Sequence, residues 1–112
     1  MKIADLGEAA LLRVPFSKMR LAGVPRSSGI YVLASYFDSI LYVGVSCNLQ
    51  RRMLSHLNNE TKLAHTPLGK AYWFFFKICS AEEFRPYERG WLLQHQLQEG
   101  KLPHFNKIEA PC

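Results

Sequence analysis

One run of apolar residues constrains the fold more than any other feature of the sequence: residues 71–78 read AYWFFFKI. Aromatic and β-branched residues favour extended strands, and an unbroken apolar run is typical of a strand covered on both faces. We therefore predict a strand over 71–78 at the centre of a sheet. The chain has 112 residues, which is enough for one domain with one hydrophobic core.

Two shorter β-rich runs, 30–34 and 40–45, are separated by five residues and predict a β-hairpin. Tyr31 and Tyr42 lie eleven positions apart, so they stand directly opposite if the turn is centred on 36–37. Any register in which opposed positions sum to an odd number places both tyrosines on one face. We expect them on the exposed face of the sheet, although an ordinary aromatic cross-strand pair explains the same pattern.

A helix is predicted after the hairpin, capped by Asn48 and running through Asn59. Its apolar stripe consists of Leu49, Met53 and Leu57. Arg52 and His56 are four positions apart and share a face turned away from much of that stripe. Arginine offers forked donors to phosphate oxygens, and histidine exchanges a proton near neutral pH. The pair therefore suits a phosphate, although a solvated helix face is the more common explanation.

A second helix is predicted near the end of the chain. Ser80 and Glu83 have the spacing of a capping box, and Pro86 is placed to begin a helix that ends before Gly100. Glu88 would lie in its first turns, where the helix dipole favours a carboxylate. The same carboxylate could hold Mg²⁺ or Mn²⁺ together with water and substrate oxygens, because these ions need few protein ligands.

The remaining segments give weaker signals. Residues 1–26 contain either a short helix over 5–14, which Pro15 would end, or a surface arm. Residues 60–70 are predicted as a loop. Asn106 either forms a turn or ties its loop to the site through side-chain hydrogen bonds.

Charge and cysteine content restrict the class of protein. The formal net charge is +5 and the pI about 9.3, which suits a polyanionic partner. Cys47, Cys79 and Cys112 form no C-x-x-C pair, so we expect free thiols rather than a zinc ribbon or a disulfide framework. No apolar run approaches the roughly 20 residues that cross a bilayer. We therefore expect a cytoplasmic protein without a membrane partner.

An ordered set of residues between about Val24 and Asn106 resembles the signature of the GIY-YIG nuclease family. The set is Gly29-Ile30-Tyr31, then Tyr42-Val43-Gly44, then Arg52 and His56, then Glu88 and Asn106. The resemblance implies an α/β fold of the α+β type, a small three-stranded antiparallel sheet flanked by helices in the order β-β-α-β-α. It divides the chain into an N-terminal segment, 1–26, and a nuclease-like domain, 27–112.

The resemblance also implies a metal-dependent endonuclease that hydrolyses DNA phosphodiester bonds. Its catalytic residues would be Tyr31, Tyr42, Arg52, His56, Glu88 and Asn106, with Glu88 holding one Mg²⁺ or Mn²⁺ ion. Tyr31 would take a proton from the attacking water and Tyr42 would position that water or the phosphate, or these two roles are exchanged. Arg52 would stabilise phosphoryl charge, and His56 would orient Tyr31 or relay its proton. We expect Arg52, His56 and the divalent cation together to make a phenolate accessible.

Two positions depart from the family pattern. The second motif reads YVG, with Val43 in its middle, and Val45 stands where some relatives carry lysine. Without that lysine, neutralisation of the phosphate would depend more on Arg52, His56 and the metal ion.

The expected partner is DNA, with branched or damaged DNA left open, and the expected assembly is a monomer or weak homodimer. The basic residues predicted to contact DNA are Arg51, Arg52, Lys62, Lys70, Arg89 and Lys107. No recognition helix or zinc finger is legible, so sequence preference is unassigned. Two alternatives remain, a catalytically idle nucleic-acid-binding module on the same fold and a structural domain whose tyrosines belong to the core.

Overall fold

An antiparallel sheet of four strands organises the chain in the computed structural model, which describes residues 1–8 and 11–106. The strands are β1 (Leu12–Pro15), β2 (Gly29–Ala34), β3 (Ile40–Ser46) and β4 (Trp73–Ile78). The α-helices are α1 (Leu49–Leu57), α2 (Glu60–Leu63) and α3 (Ala81–Glu99), and two short 3-10 helices span Ile3–Leu6 and Lys18–Gly23. The spatial order of the strands is β1-β4-β2-β3.

The predicted central position of β4 is confirmed, because β4 pairs with β1 on one side and with β2 on the other. The predicted number of strands is wrong by one, since β1 adds a fourth strand from the N-terminal segment. The helix predicted over 5–14 is also wrong at its C-terminal end, where residues 12–15 are extended. The backbone of Phe16 continues the pairing by donating to the carbonyl oxygen of Tyr72 at 2.7 Å. The division into 1–26 and 27–112 stays a prediction.

The sheet is covered on both faces, which explains why its strands are so apolar. One face packs Tyr31, Leu33 and Phe74 beneath α1, which contributes Leu49 and Met53. On the other face, α3 packs Phe84 and Trp91 against a second cluster that includes Ile30, Val32 and Val43. The two helices thus hold the hairpin of β2 and β3 between two apolar layers.

Helix ends follow local capping signals. The side chain of Asn48 accepts a hydrogen bond from the backbone of Arg51 at 3.0 Å, so the predicted cap of α1 is confirmed. The capping box of Ser80 and Glu83 is also confirmed, and it starts α3 at Ala81. The sequence had suggested that Pro86 begins this helix. Pro86 instead lies inside α3.

Two other expectations need correction. The segment predicted as a loop over 60–70 begins with the short helix α2, whose first turn is capped by the side chain of Asn59. Cys79 is a buried free thiol, as expected, whereas Cys47 is disulfide-bonded. Among the described residues, no helix combines the length and the apolar character needed to span a membrane.

Candidate active site

The two motif tyrosines lie on the same face of the hairpin. Tyr31 pairs with Gly44, and Leu33 pairs with Tyr42, so opposed positions sum to an odd number as predicted. Direct opposition of the tyrosines is wrong, because the turn is displaced by one position and the tyrosines are diagonal neighbours. Their ring centroids lie 5.9 Å apart with an interplanar angle of 33°.

Gly44 makes this close approach of two aromatic rings sterically feasible. A Cβ at position 44 would lie 2.6 Å from both Cζ and Oη of Tyr31 and 2.7 Å from the ring of Tyr42. Real Cβ atoms do not tolerate such contacts, so any larger residue would displace the ring pair. The last letter of the YVG motif is therefore explained by packing against the tyrosines.

The tyrosines are buried, which corrects the expectation that they line an exposed face. Tyr31 is 0% exposed and Tyr42 is 3% exposed. His56, expected on the solvated side of α1, is also buried, and its Nε2 lies 2.7 Å from Oη of Tyr31. The face of α1 that contacts the sheet thus includes His56 as well as the apolar stripe, and Tyr31, Tyr42 and His56 form one cluster.

Burial determines the protonation of this cluster. It lowers the pKa of His56 to about 3, with further lowering by the charges of Lys62 and Arg52. It raises the pKa of Tyr31 well above the ordinary value, and the neighbouring Tyr42 raises it further. At neutral pH Tyr31 is therefore a neutral phenol and His56 a neutral imidazole, and the imidazole tautomer decides which of the two donates in their hydrogen bond. Burial raises the pKa of Tyr31 by more than the charge of Arg52 lowers it, and the expectation that Arg52, His56 and a divalent cation together make a phenolate accessible stays a prediction.

Arg52 lies at the cluster and Arg51 does not. Arg52 is half-buried on α1, and its charge lowers the pKa of both Tyr31 and Tyr42. Arg51 is exposed and lines a separate groove with Leu21 and other residues. Arg52 and His56 were predicted to share a face of α1, and both lie next to the tyrosines.

Lys62 brings a second cation to the tyrosines from the short helix α2. Its Nζ lies 4.9 Å from the ring centroid of Tyr42 and 5.6 Å from that of Phe105. Partial burial lowers the pKa of Lys62. The sequence predicted only a DNA contact for this residue, because nothing local signals that α2 folds back over the hairpin. Val45 lies in the opposite layer, in the cluster that contains Phe84 and Trp91 of α3. The lysine that contacts the ring of Tyr42 is Lys62.

Glu88 is a buried carboxylate in the middle of α3. Because α3 begins at Ala81, Glu88 lies in its third turn, which corrects the expectation of a first-turn, dipole-stabilised glutamate. The residue is 3% exposed, and its Oε1 pairs with Nη1 of Arg85 at 3.1 Å. Its charge raises the pKa of both Tyr31 and Tyr42, so the carboxylate acts on the same cluster although α3 packs mainly on the other face.

Asn106 ties the C-terminal loop to the edge of the sheet. Its Oδ1 accepts from the backbone nitrogen of Val43 at 2.8 Å, and its Nδ2 donates to the carbonyl oxygen of Val43 at 2.7 Å. The backbone nitrogen of Phe105 adds a bond to the carbonyl oxygen of Leu41 at 2.9 Å. Both readings from the sequence are observed, because the backbone nitrogen of Asn106 also closes a turn by donating to the carbonyl oxygen of Pro103 at 2.9 Å. Asn106 therefore supports the strand that carries Tyr42 rather than contacting its ring.

The other basic residues predicted to contact DNA are not gathered at the cluster. Lys70 and Arg89 are exposed, on the loop after α2 and on α3 respectively. Lys107 lies outside the described residues. The structure thus separates a buried polar centre from dispersed surface cations.

Comparison with known proteins identifies the kind of domain. Residues 27–101 match the family model described as the GIY-YIG catalytic domain. The UvrABC system protein C of Dictyoglomus thermophilum is 31% identical over 65 residues, which are 58% of this chain and 11% of that protein. The protein of the same name from Prochlorococcus marinus subsp. pastoris is 38% identical over 47 residues, 42% of this chain and 7% of that protein. The chain thus spans a small part of the length of these relatives.

Solved structures share the fold. The GIY-YIG N-terminal endonuclease domain of UvrC from Thermotoga maritima, bound to magnesium, superposes with a TM-score of 0.57 and 16% identity, covering 80% of this chain and 93% of that chain. A point mutant of the same domain gives a TM-score of 0.58 and 14% identity, covering 81% of this chain and 94% of that chain. At these identities the likeness shows the fold, and the predicted α+β architecture is confirmed apart from its additional strand.

Proposed function

Because the chain belongs to the GIY-YIG family, as the match over residues 27–101 shows, we propose that it is a metal-dependent endonuclease that hydrolyses DNA phosphodiester bonds. One observation carries the proposal. The motif residues, distant in sequence, converge on one buried cluster, with Oη of Tyr31 2.7 Å from His56 and 5.9 Å between the tyrosine rings. A purely structural aromatic pair does not require a buried histidine, two cations and a buried carboxylate around it.

The proton path proposed for hydrolysis follows the observed hydrogen bond. Oη of Tyr31 takes a proton from the attacking water while its own proton passes to Nε2 of His56. The water oxygen bonds to phosphorus, the bond from phosphorus to the leaving 3′ oxygen breaks, and that oxygen takes up a proton from solvent while His56 afterwards releases its proton to solvent. The negative phosphodiester offsets the charges of Arg52 and Lys62, which raises the pKa of His56 from about 3 when DNA is bound. Tyr42 positions the water or the phosphate.

Arg52 and Lys62 are the residues proposed to stabilise the negative charge of the phosphoryl group. Both cations reach the tyrosine cluster, and developing charge on the phosphoryl oxygens is stabilised best by groups held in place before reaction. Lys62 supplies the ammonium that Val45 cannot supply. The sequence led us to expect that neutralisation of the phosphate depends more on Arg52. In this proposal Lys62 contributes to that neutralisation as well.

Glu88 is the residue we propose to hold the divalent cation. It is the one acidic residue among the causes that shift both tyrosine pKa values, and no group of three metal-ligating residues exists in the described part of the chain. A single carboxylate fits Mg²⁺ or Mn²⁺, which retain waters and accept substrate oxygens as further ligands. When bound, the ion would supply charge stabilisation for the phosphoryl group and the leaving oxygen. The relative from Thermotoga maritima is described as bound to magnesium.

The proposed partner is DNA, contacted by its backbone through the surface cations Arg51, Lys70, Arg89 and Lys107 in addition to the cluster. The net charge of +5 supports this contact. We further propose a monomer or weak homodimer that acts in the cytoplasm.

Supercoiled plasmid incubated with the protein tests the proposal. We expect nicked or linear DNA with Mg²⁺ or Mn²⁺ and none when EDTA is in excess. Tyr31→Phe, which keeps the ring and removes the hydroxyl, is expected to lose cleavage while still binding the plasmid. Binding without cleavage under every cation condition would show an idle nucleic-acid-binding module instead. Undiminished cleavage in EDTA would refute the metal assignment.

A further inference from the structure

Exposed aromatic side chains are confined to one place on the surface. Among the described residues, only Tyr36, Phe37 and Tyr72 are exposed aromatics, at 59%, 75% and 45%. They lie together beyond the end of the sheet, with ring centroids 5.1 Å apart for Tyr36 and Phe37 and 4.9 Å apart for Tyr36 and Tyr72. We refer to these three side chains as the aromatic platform. Burial of aromatic surface normally favours folding, so three neighbouring exposed rings indicate a binding surface.

The aromatic platform is held in place by the fold beneath it. Tyr72 packs edge-on against Trp73 at 4.8 Å, and the guanidinium of Arg13 lies 4.0 Å above the Trp73 ring. The indole nitrogen of Trp73 donates to the carbonyl oxygen of Tyr36 at 3.3 Å. The carbonyl oxygen of Phe37 accepts from Nζ of Lys2 at 2.8 Å. The rings are therefore preorganised before any partner binds, which reduces the entropy lost on binding.

Basic side chains accompany the aromatic platform. Tyr36, Phe37 and Tyr72 line a groove of roughly 450 Å³ that His65 and Lys70 also line. The acidic residue of the hairpin turn, Asp38, does not line the groove. Planar rings beside the cation Lys70 match a ligand that is both planar and anionic, and a nucleotide has both properties. An aliphatic protein segment would use the rings but not the cation.

The groove lies a short distance along the sheet from the tyrosine cluster. Leu33 pairs with Tyr42 in β3 and with Phe74 in β4. Tyr72 therefore lies two positions further along the sheet than Tyr42. Two positions of a strand span about 7 Å, which is about the length of one or two nucleotides. A strand cut at the cluster would therefore meet the aromatic platform within a few nucleotides of the scissile phosphate.

We propose that the aromatic platform stacks unpaired bases of the DNA strand that is cut, so that the substrate class is DNA with unpaired bases near the cleavage point. Paired bases are stacked inside the duplex and cannot reach the rings, whereas unpaired bases can. The proposal rests on the proposed nuclease function. It adds a binding site for bases to a set of phosphate contacts that do not distinguish paired from unpaired DNA.

Binding of a short fluorescent single strand tests the proposal, compared with the same strand in which abasic positions replace the bases. The measurement is made in EDTA, so that it does not depend on cleavage. Stacking on aromatic side chains contributes about 1–3 kcal/mol per base, so the wild-type protein should bind the complete strand about 5- to 150-fold more tightly. Tyr36→Ala and Tyr72→Ala should each reduce this ratio, and Tyr36→Phe should retain it.

Met19→Ala is the matched control, because Met19 is 89% exposed and lies outside the groove. Melting curves should show all variants folded, since the replaced side chains are exposed. Equal affinity of the wild-type protein for both strands, or tyrosine variants that keep the full ratio, would overturn the proposal in favour of a protein-binding surface. Tighter binding of the complete strand without plasmid cleavage would refute the nuclease function and support the base-binding site. Plasmid cleavage with equal binding of the two strands would support the nuclease function and refute the base-binding site.

Discussion

Replacing Glu88 by glutamine keeps the length of a side chain that is 3% exposed and removes its charge. One charged partner of Glu88 is Arg85, whose Nη1 lies 3.1 Å from Oε1 of Glu88 and whose side chain is 35% exposed. A glutamine oxygen can still accept from Arg85, so a charge-assisted hydrogen bond becomes a weaker one. The difference between these two kinds of bond is about 1 kcal/mol.

A loss of about 1 kcal/mol does not unfold a domain that is stable by roughly 5 to 15 kcal/mol. It should lower the melting temperature by about 4–8 °C. Cleavage should fall far more. Loss of one preorganised electrostatic contact lowers turnover by about 10² to 10³ in other enzymes, and loss of the divalent cation should cost at least as much.

The sign of the rate change separates two roles for Glu88. Its charge raises the pKa of Tyr31 and Tyr42. If that were its only effect on the cluster, removing the charge would make the phenolates more accessible and would not slow cleavage. A metal-binding role predicts the opposite, because the cation is lost with the carboxylate.

Single-turnover cleavage with saturating protein and Mg²⁺ is the assay, together with melting curves of the same preparations. Glu82→Gln is the matched control, because Glu82 is exposed in the first turn of the same helix. Glu82→Gln should lose only about 0.3 to 1 kcal/mol of dipole stabilisation and none of its activity. A folded Glu88→Gln variant that cleaves at the wild-type rate would refute the reasoning.

Three further predictions concern proton binding, packing and DNA affinity. The pKa of His56 is about 3 in the folded protein against 6.5 in a free histidine, so the unfolded chain binds the proton first and stability falls as pH drops below about 6.5. Urea unfolding should show a loss of about 2 kcal/mol between about pH 6.5 and 5 that His56→Gln lacks, and equal losses would contradict the burial of a neutral imidazole. Gly44→Ala should cost about 1–3 kcal/mol and abolish cleavage by displacing the ring pair, whereas Gly90→Ala, where a Cβ meets nothing within 4 Å, should stabilise α3 by about 0.5–1 kcal/mol. Affinity for DNA of unrelated sequences should fall with salt on a linear log–log plot, and a flat plot would exclude phosphate contacts as the main source of affinity.

Local signals explain what the sequence predicted correctly. The two runs of the hairpin are bounded by turn residues, so the register could be limited to those that place Tyr31 and Tyr42 on one face. Asn48 caps α1, and the capping box of Ser80 and Glu83 starts α3, because both signals act within a few residues of backbone. The family could be predicted as well, because the resemblance depends only on the order and spacing of the motif residues along the chain.

Contacts between distant segments explain what the sequence missed. β1 has four residues and ends in Pro15, so it lacks the length and alternation of a recognisable strand and forms because β4 offers an unpaired edge. Lys62 reaches Tyr42 only through the fold-back of α2. The position of Glu88 was misjudged because Pro86 suggested a later start of α3 than the capping box sets.

Diffraction from crystals soaked in Mn²⁺, recorded to show the anomalous signal of manganese, tests the central claim that Glu88 and the tyrosine pair form one metal-dependent centre. A single ion coordinated by a carboxylate oxygen of Glu88, with water in its other positions, is expected, and no ion in crystals of Glu88→Gln. A manganese ion bound elsewhere, or none at Glu88 in protein that cleaves DNA in the same solution, would contradict it.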